Sequence, residues 1–314
     1  MDRARVFRFL AERQASGSPC VLVTVGAVEG SSMREPGTVM GVAADGSFAG
    51  SLSGGCIENA VVAEALEALK AGNPRVVRFG AGSPYLDIKL PCGGGLDVHF
   101  QPLGNSQLAE ACLKAKSDRR SFSIRLADGD AQCEAGWNPT HFDPETGEGV
   151  FGHWPAPRIA IIGHGAGVEA LANLAREMHS PVHVLTPDER IAEALKACDV
   201  PVGFLSRTTQ TDLLESDPWT AFVFLFHDHD WEVDLMASAL DLPHFYVGAM
   251  GGRKAHAQRL EALRARGVSE EKLATIRAPI GLFHSSRDPH TLALSTLAQV
   301  VRAYQDADFE AACG

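Results

Sequence analysis

Long apolar runs are missing from this sequence. The most apolar stretch, Ala221–Phe226, is far shorter than the roughly 20 residues a membrane-spanning helix needs. Residues Met1–Gln14 are charged and lack the apolar centre of a secretory signal. The expectation is a cytoplasmic protein with no membrane partner. An excess of positive charge is absent too: 28 lysines and arginines stand against 39 aspartates and glutamates, a net charge of −11. Binders of nucleic acid or anionic lipid draw their affinity from basic surface, so neither is an expected partner. Cysteine is sparse and unevenly spaced. The count of 7 is odd, and no C-x-x-C pair occurs, which excludes a zinc ribbon and argues against a secreted disulfide scaffold. Internal repeats and low-complexity tracts are also lacking. What is present is ordinary for a globular chain, with 45% apolar and 21% charged residues. The 314 residues suffice for about two domains of roughly 150 residues each.

The strongest boundary signal is Trp154-Pro155-Ala156-Pro157, because two prolines in three residues resist both helix and sheet. It predicts domains at 1–154 and 155–314. The first reads as mixed α/β: helices over 3–14 and 57–71, strands at 20–28, 38–44, 47–50, 76–79 and 96–100, and a hairpin over 121–136 turning at Asp128-Gly129. The second alternates strands (158–162, 181–185, 221–226, 244–247) with helices (to Met178, then 188–197, 232–240 and 252–265) and ends in a helix over 289–304. Alternation of this kind predicts a Rossmann-like, doubly wound parallel sheet.

Several glycine loops punctuate this pattern. Gly163, Gly165 and Gly167 lie between a strand and a helix, where a nucleotide-binding sheet places its phosphate loop. The fingerprint is incomplete: Val168 follows Gly167, and Thr186 ends the second strand where a ribose-binding acid would stand. NAD(P) is therefore disfavoured. In the first domain, Ser53, Gly54 and Gly55 precede Cys56 at a predicted helix start. A thiol there feels the helix dipole and could ligate a soft metal, attack an electrophile or carry sulfur; it could equally be a small buried hydrophobe. Glu58 reads as a favourable first-turn charge. Cys92 abuts Gly93, Gly94 and Gly95. Arg34, with Ser31 and Ser32, lies in a polar loop suited to an anion or to simple solvation. His227 and His229 follow an apolar strand, so they fall at the end of a sheet that binds ligands; in extended chain both histidines share one side, with no evident third metal ligand. Gly251, Gly252, Arg253 and Lys254 repeat the strand–glycine–helix pattern. The helix that follows adds His256, Arg259, Arg264 and Arg266 against one acid, Glu261.

Taken in order, GSSMREPG (30–37), GSLSGGCIE (50–58), LPCGGGLDV (90–98), FHDHDWEVD (226–234), YVGAMGGRKAHAQRL (246–260) and IRAPIGL (276–282) resemble the xanthine dehydrogenase accessory proteins of the XdhC/CoxI family. The resemblance implies a carrier of molybdenum cofactor that protects it, supports addition of its terminal sulfur and inserts it into a xanthine dehydrogenase-type apoenzyme. Its implied partners are that apoenzyme and a cysteine desulfurase, with homodimerisation a further expectation. Cys56 and Cys92 fall on the family's cysteine motifs and are expected near molybdenum or its sulfur. Met33 stands where the family commonly has proline, Thr186 where it has an acid and Gly252 where it has serine. Two other classes stay open: a nicotinamide-dependent oxidoreductase, and a sulfurtransferase with Cys56 as persulfide carrier.

Overall fold

The computed structural model describes residues 3–31, 34–55, 57–83, 93–283 and 288–313, without the side chains of Arg3, His229, Ala312 and Cys313. Its contacts divide the chain into two compact units, Met1–Pro155 and Ala156–Gly314.

The first unit runs α1 (Arg3–Ala15), β1 (Cys20–Glu29), β2 (Val39–Ala43), β3 (Phe48–Ala49), α2 (Glu58–Ala71), β4 (Arg75–Gly80), β5 (Gly95–Leu103), α3 (Gln107–Ser117), β6 (Phe122–Ala127), β7 (Asp130–Ala135), β8 (His141–Phe142) and β9 (Gly149–His153). Strand β1 explains the layering. Side chains alternate across a strand, and both faces of this one are buried. Val21, Val23 and Val25 join Val61, Ala65 and Ala68 of α2. Cys20 and Leu22 turn the other way, to Phe7 and Leu10 of α1, Leu108 and Cys112 of α3, and Phe122 and Ile124 of β6. A five-stranded antiparallel sheet, order β3-β2-β1-β5-β4, thus lies between α2 and a layer holding α1, α3 and the smaller sheet β7-β6-β9-β8. The β1–β5 register shifts between Val25 and Ala27. Gly26 sits in that shift, and a Cβ there would lie 2.3 Å from the ring of Phe142.

The second unit runs β10 (Arg158–Gly163), α4 (Ala166–Glu177), β11 (Val182–Thr186), α5 (Glu189–Lys196), β12 (Val202–Phe204), β13 (Thr220–Leu225), α6 (Val233–Asp241), β14 (Tyr246–Ala249), α7 (Arg253–Ala265), α8 (Glu270–Thr275), β15 (Ile276–Arg277), α9 (Pro289–Gln305) and α10 (Phe309–Cys313). All pairings in its sheet are parallel, in the order β12-β11-β10-β13-β14-β15. This is the doubly wound order in which the first strand sits beside the fourth. Parity again sorts the core. Ile159, Ile161, Val223 and Leu225 face α4, α5 and α9, whereas Ala160, Ile162, Phe222 and Phe224 face Leu235 and Met236 of α6 and Leu263 of α7. The Rossmann-like reading of this half holds. Helices α3, α8 and α10 and the short strands β8, β9, β12 and β15 extend the predicted set.

Candidate functional site

In the first unit the antiparallel order brings three of the motif loops to one end of the sheet. The loop after β1, the loop after β3 and the loop before β5 all leave from that end. Two of them touch through glycine. A Cβ on Gly94 would lie 2.4 Å from the carbonyl oxygen of Ser31 and 2.7 Å from that of Glu29, so only glycine allows this approach. Gly30 faces it, its virtual Cβ 3.5 Å from the Cα of Gly94. Arg34 joins the first loop to the second, Nε donating to the Ser51 carbonyl at 3.1 Å. Below the junction Arg78 pairs with Asp97 at 2.9 Å and also with Glu29.

The second loop is organised by an acid. The carboxylate of Glu58, 6% exposed, accepts from Ser51 Oγ at 2.6 Å, from Leu52 N at 3.1 Å and from Ser53 N at 2.9 Å on Oε1. On Oε2 it accepts from Ser53 Oγ at 2.7 Å, Gly55 N at 2.8 Å and Ile57 N at 3.2 Å. Burial alone would raise its pKa; the bonds from Ser51, Ser53 and the loop amides win and hold it at about 2. Gly54 and Gly55 take left-handed φ values of 81° and 116°, which turn the amide of Gly55 inward and leave both residues exposed. Glu58 therefore does more than complement a helix dipole: it fills the concavity of amides that an outside anion would need. The available signal was the clustering of two serines and two glycines within seven residues of one acid. Gly93 is exposed, with nothing within 4 Å of a virtual Cβ. Cys56 and Cys92 lie outside the described residues, as do Ser32 and Met33.

In the second unit, β10 and β13 flank the point where strand order reverses, the usual ligand crevice of such sheets. Their backbones close tightly there: a Cβ on Gly163 would lie 2.5 Å from the Leu225 carbonyl oxygen. His164 then stands between the loops, its ring 5.5 Å from that of Phe226 and 5.7 Å from that of His227. Gly165, φ 87°, opens α4 with no side-chain cap, and Gly167 lies in its first turn. An open pocket of about 500 Å³ is lined by His164, Pro187, Asp188, Glu189, Arg190 and Phe204. Asp188 is already committed. Its carboxylate caps α5, accepting from Arg190 N at 3.0 Å and Ile191 N at 3.4 Å. Burial opposes the charge, but those amide bonds and Arg190 outweigh it and lower the pKa. Thr186 is buried, and its hydroxyl accepts from the Asp188 amide at 3.1 Å.

Two expectations for this edge need revision. Residues 229–231 form a 3₁₀ turn, with Asp228 accepting from the Asp230 amide at 3.1 Å, so the extended alternation of histidines and aspartates is not realised. The side chain of His229 lies outside the description. Among the described residues no three histidine, cysteine, aspartate or glutamate side chains converge to hold a metal ion. The basic character of α7 is likewise largely neutralised. Arg259 is fully buried and donates to Glu232 at 2.8 Å and to the Met250 carbonyl at 2.7 Å. Arg264 pairs with Glu270 at 2.5 Å and Arg266 with Asp234. Arg253 and Lys254, beside Gly251 and Gly252, stay exposed with no carboxylate partner among the described residues. Sequence reading missed Arg259 and Glu232 as a pair because 27 residues separate them.

These features define a two-unit protein in which a glycine-loop antiparallel domain precedes a Rossmann-like sheet. Residues 13–80 match the model of the XdhC and CoxI family, and residues 159–300 match the XdhC Rossmann domain. The Escherichia coli (strain K12) protein PaoD, a molybdenum cofactor insertion chaperone, is 34% identical over 316 residues, covering 98% of this chain and 91% of its own. An uncharacterised protein of the same bacterium, YqeB, is 22% identical over 310 residues, covering 96% of this chain and 47% of its own. A solved structure from Bacillus halodurans, described as a xanthine dehydrogenase, shares the fold with a TM-score of 0.75, 21% identity and 96% coverage of each chain. The chain belongs to the XdhC and CoxI family.

Proposed function

We propose that this chain binds molybdenum cofactor as cargo, protects it, supports its sulfuration and inserts it into a xanthine dehydrogenase-type molybdoenzyme. The observation that carries the reading is the meeting of three polar glycine loops at one sheet end, fastened by Arg34 and Gly94 and braced by Glu58. The 34% identity to an insertion chaperone over nearly the whole chain supports the same role.

The chemistry fits the cargo. A pterin dithiolene carries its own chelation of molybdenum, so the protein needs polar edges and an anion contact more than a metal cage. Exposed backbone at Gly54, Gly55 and Gly93 lets a flat ring approach closely, and Arg34 lies beside it. The second unit, taken by itself, offers a separate candidate contact for an anionic group at Gly163, Gly165 and Gly167, with His227 and His229, Gly251 and Arg253. Cys56 and Cys92 would stand nearest molybdenum or its terminal sulfur, with a cysteine desulfurase as sulfur donor. A dinucleotide reading is disfavoured because Asp188, the acid nearest the second strand's end, is occupied as a helix cap. Calorimetry with NAD and NADP is expected to register no binding.

The test is purification from molybdate-fed cells with molybdenum and pterin assayed together. Comparable amounts of both, lost together in Cys56→Ser or Cys92→Ser, are expected. Near-zero content of both, where PaoD loads under the same conditions, overturns the proposal.

A further inference from the structure

Glu189 and Phe204 line the pocket of the second unit and are used by nothing described so far. Phe204 is the register partner of Thr186 across β11 and β12, so it stands beside the turn that carries Pro187, Asp188 and Glu189. It is 39% exposed there. A large aromatic face left open in a polar crevice is a stacking surface for a flat ligand, and Pro187 adds a second apolar wall. Asp188 is committed to capping α5, and its other carboxylate oxygen lies 3.5 Å from Arg190. Glu189, in the first turn of α5, is exposed and has no hydrogen bond or ion pair among the described residues. The pocket therefore offers one uncommitted carboxylate, with Arg190 and His164 as donors in the same lining.

This set selects a flat ring by its hydrogen-bonding edge. An ionised carboxylate only accepts, and its two oxygens suit two parallel N–H donors. A fused 2-amino-4-oxopyrimidine, the ring system common to guanine and pterin, presents such a pair: a ring N–H beside an exocyclic NH₂. Its oxo group accepts from a guanidinium or imidazole donor. Adenine instead presents an acceptor nitrogen beside its NH₂, so one carboxylate oxygen would face a lone pair. A mismatch of that kind is the repulsive element that separates two otherwise similar ligands.

We propose that this pocket binds a fused 2-amino-4-oxopyrimidine ring, stacked on Phe204 with its donor edge on the Glu189 carboxylate. Two sources share that chemistry, a guanine nucleotide and a free pterin. The site is built from the second unit alone and needs no molybdenum. The inference therefore does not rest on the cargo reading. It also gives a second reason for weak binding of NAD and NADP, whose adenine carries the wrong edge for Glu189.

The experiment is calorimetric titration of the full-length chain, purified without added molybdate, with GMP, AMP and pterin. GMP and AMP carry the same ribose and phosphate, so their difference reports the base. GMP is expected to bind about tenfold more tightly than AMP. Phe204→Ala is expected to weaken binding at least about fivefold. Glu189→Gln offers one acceptor and one donor, the complement of adenine's edge. It is expected to lose the preference for GMP and to gain affinity for AMP, a reversal that a structural role would not produce. Both side chains are exposed, and thermal unfolding of each variant is expected to match the parent chain. Binding of GMP without pterin assigns the pocket to nucleotides, and binding of pterin without GMP assigns it to the free pterin. AMP bound as tightly as GMP, no binding of either GMP or pterin, or an unchanged preference in Glu189→Gln overturns the proposal. Failure of the cargo reading would show in the molybdenum assay and leave these titrations unchanged.

Discussion

Ser53 engages both oxygens of Glu58, its amide donating to Oε1 at 2.9 Å and its hydroxyl to Oε2 at 2.7 Å. The acid is the loop's own internal anion. Glu58→Gln turns one acceptor oxygen into a donor, so three loop donors face an NH₂ group. A buried donor without an acceptor costs about 1–3 kcal/mol. The variant is expected to lose at least that much in urea unfolding and to retain less molybdenum and pterin. The pH dependence follows from a carboxyl held at about 2 against an ordinary 4.5. Its stabilisation is complete above pH 4.5 and fades as pH falls towards 2; in the glutamine variant that fade is missing. Unchanged stability at pH 7 would remove Glu58 from the organisation of the loop.

Gly94 and Gly93 separate two kinds of glycine requirement. At Gly94 an added methyl meets the backbone of Ser31 and Glu29, which cannot yield cheaply. At Gly93 it meets open space, and only the left-handed φ of 71° resists it. Gly94→Ala is expected to cost clearly more in thermal unfolding than Gly93→Ala, whose penalty is about 1–2 kcal/mol. Equal costs would mean that the loop contact is not retained in solution.

Arg259 and Glu232 are fully buried. Removing one partner strands the other charge, at a cost of about 3–5 kcal/mol. Arg259→Met is therefore expected to destabilise strongly, while Arg259→Met with Glu232→Met recovers much of the loss. A double variant no better than the single one would contradict a direct ion pair.

His99 on β5 is 3% exposed, its Nδ1 has no hydrogen-bond partner among the described residues, and burial lowers its pKa to about 4. The unfolded chain binds the proton first. Stability is therefore expected to be full above about pH 6.5 and to fall as pH drops towards 4, by on the order of 3 kcal/mol. Denaturant midpoints across that range, compared with His99→Gln, check it; a variant with the same slope would assign the loss elsewhere.

The second unit was nearly transparent to sequence because its apolar strands alternate with amphipathic helices and carry both core faces in one run, as Ala221–Leu225 does. The loops too could be found, since glycine and cysteine mark them. What stayed hidden was pairing. Arg259 looks like any surface cation until Glu232 meets it across two elements. Helix α3 buries only Leu108, Ala109 and Cys112 among its lysines, too thin an apolar stripe to announce a helix. Strand β9, with Gly149 and Gly152, owes its place to pairing with β6 and β8, not to local propensity.

Glu29 pairs directly with Gly95 across β1 and β5, so the first and third loops depart from the two ends of one rung of a single ladder. Their roots are gauged by one strand-to-strand step, about 4.8 Å. Substitutions at the loop tips can change the chemistry the loops present, but the spacing of their roots belongs to the sheet and cannot drift without breaking the ladder.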